Sequence, residues 1–154
     1  MNIRIILGNW ATLQPIAQAI RYEVFVIEQN IPVELEWDDM DALCLHAVAY
    51  DEQGQAIGTG RLLPDGHIGR MAVKKIARGT GAGGAILQAL MDAAQKRGDA
   101  AVMLNAQSQV EPFYARYGFT REGAEFFEAG IPHIHMRRVF QVLRTTEKRS
   151  VRPE

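Results

Sequence analysis

The sequence predicts a mixed α/β fold, a central β-sheet of about six to seven strands flanked by helices, and three observations carry that prediction. Apolar runs of strand length recur in the order β-α-(α)-β-β-β-α-β-α-β-β, which is not the regular alternation of a doubly wound sheet. Two stretches, Gln14 to Glu28 and Gly83 to Arg97, repeat apolar residues at helical spacing. A glycine-rich turn, Gly79-Thr80-Gly81-Ala82-Gly83-Gly84, leads into the second of them. At 154 residues, 47% hydrophobic and 23% charged, the chain reads as one globular domain without repeat, low-complexity segment or linker. Residues 1–143 are expected to form that domain, and 144–154 a flexible basic tail.

Taken in order, Ile3 to Leu7 is a short strand. The first helix, Gln14 to Glu28, places Ile16, Ala19, Ile20, Val24 and Ile27 on one face and ends at Asn30-Ile31-Pro32. Residues 31–43 show no clean period and form a loop or short helix beside a cleft. Leu45 to Tyr50 and Gln55 to Leu63 are strands joined by the turn Asp51-Glu52-Gln53-Gly54. A second turn, Leu63-Pro64-Asp65-Gly66, leads to the strand His67 to Val73, followed by the glycine turn and the long helix. Gly98-Asp99 ends that helix. Ala100 to Leu104 lacks alternation and is expected to be a strand covered on both faces. Gln109 to Tyr117 is a short helix closed by Gly118 in a left-handed cap. Phe119 to Glu128 and Ile134 to Val142 are the last strands, separated by Ala129-Gly130-Ile131-Pro132.

The glycine turn is where chemistry is expected. Glycine costs a helix roughly 1 kcal/mol relative to alanine, so Gly83 and Gly84 at the first turn need a reason. One reason is a ligand that approaches too closely for a Cβ atom. From Lys74 to Met91 there is no Asp or Glu, although first helical turns favour acids. Free amides, a positive helix end and Arg78 together make a phosphate site. The Walker pattern does not apply, since no Lys follows these glycines, and the dinucleotide fingerprint does not keep its spacing.

Bulk properties narrow the partners. A formal net charge of -1 argues against nucleic acid, and no apolar run reaches membrane-span length. The single cysteine, Cys44, excludes an internal disulfide and points to a cytoplasmic, reducing setting. No Cys/His cluster has metal-ligand spacing, so no metal is expected. His46, between apolar residues, reads as a core histidine. Between Tyr22 and Gly60 there are nine acids and no Lys or Arg. The sequence leaves a homodimer open.

Arg78-Gly79-Thr80-Gly81-Ala82-Gly83 resembles Arg/Gln-x-x-Gly-x-Gly/Ala, the coenzyme A pyrophosphate loop of the GNAT acetyltransferases. Phe113-Tyr114-Ala115-Arg116-Tyr117-Gly118-Phe119, further along, resembles the Phe-Tyr-x-x-x-Gly-Phe of the same family. The resemblance covers roughly residues 3–142. Arg21-Tyr22-Glu23-Val24-Phe25-Val26-Ile27-Glu28-Gln29 and Glu128-Ala129-Gly130-Ile131-Pro132-His133-Ile134 resemble its small bacterial ElaA-like branch.

The resemblance implies transfer of an acetyl group from acetyl-CoA to a small-molecule amine or an amino terminus, by direct attack in a ternary complex. It assigns coenzyme contacts to Met71, Ala72 and Val73, to Arg78, Gly79, Thr80, Gly81, Ala82, Gly83 and Gly84, and to Phe113 and Tyr114. Tyr114 is the implied general acid. Many relatives carry Asn where this chain has Gln107; Asn105 is the nearby substitute. Glu128 and His133 lead the candidates for the base, with Glu28, Glu34 and His67 behind them. Glu28, Glu34 and Asp38 are candidates to receive a cationic acceptor, because carboxylates attract an ammonium. Two alternatives stand. Acyl-homoserine lactone synthases share Arg21…Phe25, Trp37, Asp39 and Arg61-Leu62-Leu63-Pro64, and a coenzyme A binder without activity would keep the loop.

Overall fold

Two antiparallel sheets meet edge to edge in the computed structural model, which describes residues 2–141. The first sheet runs β1 (Arg4–Gly8), β2 (Leu45–Tyr50), β3 (Ala56–Leu62) and β4 (Ile68–Val73), in that spatial order. The second has β7 (Ile131–Val139) between β5 (Ala101–Gln107) and β6 (Thr120–Glu128). A single parallel bridge, His67 to Met103, joins them, and the Met103 N–H donates to the Gly66 carbonyl at 3.2 Å. Beyond that bridge β4 and β5 part, so the middle of the seven-stranded surface is a fork.

Helices cover both faces. On one face lies α3 (Ala82–Lys96), whose Ile86, Leu87, Leu90, Met91 and Ala94 bury against Ala47, Leu62, Val102, Leu104, Ile134 and Met136. On the other lies α1 (Trp10–Arg21), which packs Leu13, Ala17 and Ile20 with Val24 and Phe25 against Val48 and Ala72. Full burial of each such side chain is worth roughly 1.5–3 kcal/mol, so these two stripes set the sandwich.

Four expectations need correction. The first helix starts at Trp10 rather than Gln14, because the Asn9 side chain caps it by accepting from the Thr12 N–H at 2.9 Å. It also does not run on as α-helix to Glu28. Tyr22–Glu28 is a π-helix, in which the Gln29 N–H reaches back five residues to the Val24 carbonyl. The wider turn rotates the later residues, so Ile27 is 62% exposed; within α1 itself, Ala17 rather than Ala19 is buried. The strand expected at Ala100 to Leu104 extends to Gln107 and does alternate: Val102, Leu104 and Ala106 point inward, and Asn105 is exposed. Its apolar outward residues, Ala101 and Met103, hid the alternation.

The helix expected at Gln109 to Tyr117 is a 3₁₀ turn, Ser108–Val110, followed by α4 (Glu111–Ala115), with Gly118 at φ 88 as its cap requires. Last, the Ala129-to-Pro132 loop shrinks to a two-residue turn, Ala129 and Gly130 at φ 53 and 75, the conformation that suits hairpins. Pro132 therefore lies inside β7. It is tolerated because β5 pairing stops at Gln107–His133, and toward β6 it faces Phe127 next to the hydrogen-bonded pair Glu128–Ile131. The expected strand end at Val142 and the basic tail lie outside the described residues.

Candidate active site

The phosphate loop has the geometry its glycines imply in part. Gly79 and Gly81 sit at φ 81 and 93, where a side chain is strained, and both Cβ positions face open space. The first helical bond of α3 is from the Ala85 N–H to the Gly81 carbonyl, which leaves the amides of Ala82, Gly83 and Gly84 ahead of it. With no acid in this turn, the fifteen-residue helix presents a donor-rich positive end that fits a pyrophosphate. Gly84 has another cause: the Tyr117 hydroxyl occupies the place of its Cβ. At Gly83 a Cβ would make only an ordinary contact with Phe113. Packing therefore explains one of the two helical glycines.

Beside the loop, β4 carries a bulge. Thr59 pairs with Ala72 and Arg61 with Gly69, so Arg70 and Met71 together oppose Gly60. Arg70 takes φ 49, uncommon for a residue with a side chain. A bulge of this kind leaves backbone groups unpaired and re-aims the residues that follow. These are Met71, Ala72 and Val73, on the strand edge that borders the fork.

Tyr114, on α4, is buried in the same core cluster as α3 and β5. Its ring is 8% exposed and meets Phe113 edge-on at 5.0 Å and Phe119 at 6.0 Å. Burial pushes its phenol up to about 12. Phe113 in turn covers Gly83, which brings the two sequence motifs into contact.

The outward face of β5 and β7 forms the opposite wall. Asn105 pairs in register with His135, and Gln107 with His133. Gln107 donates to Gln29 Oε1 at 3.0 Å, which ties the end of the π-helix to β5. His133 Nδ1 lies 2.7 Å from the Ile131 carbonyl, which can only accept. Nδ1 therefore carries a proton, so in the neutral ring Nε2 is the nitrogen that can accept one. Glu128 Oε1 is 4.0 Å from that Nε2, and Phe126 stacks on the ring at 5.9 Å. Sequence reasoning missed His135, whose Nδ1 is 2.8 Å from Asn105 Oδ1. Its spacing of two from His133 on a strand was the available signal. Asn105 is thus engaged by His135, and the ring of His67 lies 6.1 Å from that of His135.

The acidic segment is less free than its composition implies. Arg21, 1% exposed, donates from Nε to Glu36 at 2.6 Å and from Nη1 and Nη2 to Asp41 at 2.8 and 3.1 Å. Arg61 donates to Asp38 at 2.8 and 2.9 Å and to Asp41 at 2.8 Å, and Arg70 reaches Asp38 at 3.1 Å. Asp38 is thus engaged within the protein: its carboxylate is bound by two guanidiniums, and Arg61 holds it down at about 2. Burial pushes Asp41 up, but Arg21 and Arg61 outweigh that and leave it below the usual range. Burial wins at Glu36, which is raised and has one buried oxygen without a partner. His46 donates from Nε2 to the Asp41 carbonyl at 2.9 Å as a satisfied core histidine. Burial pushes the Cys44 thiol up to about 11, so it is no nucleophile. Glu34 is exposed. Glu28 pairs with Arg78.

A model of the acetyltransferase (GNAT) domain family matches residues 21–140. An uncharacterised N-acetyltransferase of Bacillus subtilis, YjcF, is 42% identical over 121 residues, 76% of this chain and 86% of its own. Among solved structures, an acyl-CoA N-acyltransferase from Pseudomonas aeruginosa superposes with a TM-score of 0.80 at 32% identity, over 90% of this chain and 100% of that one. Escherichia coli ElaA gives a TM-score of 0.79 at 25% identity, over 89% and 99%. No helix among the described residues is long and apolar enough to cross a membrane.

Proposed function

The chain belongs to the GNAT acetyltransferase family, an acyl-CoA-dependent N-acetyltransferase in general terms, and from that premise we propose that it moves an acetyl group from acetyl-CoA to a primary amine by direct attack in a ternary complex. One observation carries the reading. Phe113, which packs edge-on against the buried Tyr114, and Val73, at the end of the bulged β4, both lie within 4 Å of the place a Cβ of Gly83 would take at the donor-rich start of α3.

Acetyl-CoA supplies the activated acetyl group, a thioester. The amides of Gly79, Thr80, Gly81, Ala82, Gly83 and Gly84, with Arg78, hold its pyrophosphate, and Phe113, Asn105 and Gln107 line the path to the fork. Along Met71, Ala72 and Val73 the β3 ladder takes the Ala72 amide, because Lys74 bonds Ile57 and the pairs alternate. The Val73 N–H therefore faces away from β3 and donates to the carbonyl oxygen as charge develops there; a single such donor is typically worth roughly 10²–10³-fold. His133 Nε2 takes a proton from the acceptor ammonium, and Glu128 at 4.0 Å stabilises the imidazolium that forms. Tyr114 gives its proton to the departing thiolate. Its raised phenol keeps that proton in place until the thiolate appears. The exposed carboxylate of Glu34 attracts the cationic acceptor.

The test is a panel of amines, amino acids, polyamines and peptides, read as coenzyme A thiol released from acetyl-CoA. Turnover with at least one primary amine is expected. Binding of acetyl-CoA with no transfer to any acceptor would leave a coenzyme A binder instead.

A further inference from the structure

Arg78, the first residue of the phosphate loop, turns its guanidinium toward the π-helix. Nη1 and Nη2 donate to Glu28 Oε2 and Oε1 at 2.6 and 2.7 Å, and Nε donates to the Val73 carbonyl at 3.1 Å. The two-pronged edge that matches a phosphate also matches this carboxylate, and the carboxylate takes both prongs. The Arg78 guanidinium holds the Glu28 carboxyl below its usual range. The side chains are 42% and 34% exposed, so the pair is cheap to open. Glu28 is also the last residue of the π-helix, next to Gln29, which bonds Gln107 across the fork. One residue thus borders both the coenzyme loop and the acceptor wall.

We infer that Glu28 competes with the coenzyme pyrophosphate for Arg78, so that binding of the coenzyme releases the Glu28 carboxylate to receive a cationic amine. This rests on the coenzyme reading above and adds to it a coupling between the two substrates. Coenzyme binding strengthens acceptor binding, and by linkage the acceptor strengthens coenzyme binding by the same factor. A neutral or anionic acceptor gains nothing from the release.

Titration calorimetry with coenzyme A tests this on the parent, Glu28→Gln, Arg78→Ala and the double variant. Removing the competitor is expected to tighten coenzyme A roughly two- to fivefold, the range a part-exposed ion pair carries. In the Arg78→Ala background the same Glu28→Gln change is expected to leave affinity where it was. Glu28→Gln should also raise the Michaelis constant of the best cationic acceptor in the panel, although coenzyme A binds more tightly. Unchanged or weaker coenzyme A binding by Glu28→Gln overturns the competition. Equal tightening with and without Arg78 also overturns it, since that is a plain long-range charge effect. A parent protein that binds no coenzyme A overturns the coenzyme reading itself, a result distinct from either of these.

Discussion

Tyr114 shows how much a residue-scale reading depends on its surroundings. A free phenol titrates near 10, and burial moves this one up to about 12, away from any thiolate it would protonate. Position rather than acidity has to drive the transfer. Tyr114→Phe keeps the ring against Phe113 and Phe119 and removes only the proton. Coenzyme affinity is expected to hold in calorimetry, and kcat to fall roughly 10²–10⁴-fold. Because the raised value keeps the hydroxyl protonated, Tyr114 itself should cause no loss of kcat up to about pH 10. A basic limb that disappears in Tyr114→Phe would contradict this assignment. The residue types were readable in the sequence, but His133's tautomer was not, because the Ile131 carbonyl that sets it depends on the turn geometry.

At the scale of elements, the glycine turn separates two causes that sequence merges. Gly83→Glu is expected to fold, since its Cβ makes an ordinary contact with Phe113, but to lose coenzyme binding through bulk and charge. Acetyl-CoA should then raise the melting temperature of the parent and leave that of the variant unmoved, because a ligand stabilises only what it binds. Gly84→Ala is expected to destabilise by about 1–3 kcal/mol, as overpacked sites do, and Tyr117→Phe should recover part of that loss in the double variant. Full stability of Gly84→Ala in a thermal melt would remove the packing explanation.

Most strands were legible to within a residue or two, since their apolar runs are bounded by Gly and Pro. The π-helix and the β4 bulge were not. Each arises where tertiary contacts outweigh local preference: buried Arg21 reaches Glu36 and Asp41, and Gly60 admits Met71. Both border the fork, where irregular backbone is most useful.

Across the whole molecule, three arginines from outside the acidic segment reorganise it. Arg21 on α1, Arg61 on β3 and Arg70 on β4 bind Glu36, Asp38 and Asp41, which fastens residues 36–41 to both the helix and the sheet. Composition showed the acids, but their partners are distant in sequence, so the pairing could not be read there. The carboxylates are not equivalent. Asp41 serves two guanidiniums, so Asp41→Asn is expected to cost about 3–5 kcal/mol in denaturant melts, the loss typical of a broken buried pair. Glu36→Gln should cost less, since burial already pushes that group toward its neutral form.

The acid response follows from the directions. Asp38, held at about 2 when folded, adds stability above its ordinary value near 4 and loses it as pH falls toward 2. Asp41 acts in the same sense, and Glu36 in the opposite one. Steering of an amine then falls to exposed carboxylates such as Glu34. Glu34→Gln is therefore expected to raise the acceptor Michaelis constant, with a smaller effect at high salt, and to leave the melting temperature unchanged. Asp38→Asn should lower the melting temperature at neutral pH and flatten its fall below about pH 4. If Glu34→Gln leaves the acceptor constant unmoved, or Asp38→Asn melts like the parent at both pH values, the division of the segment into a structural and an attracting part is wrong.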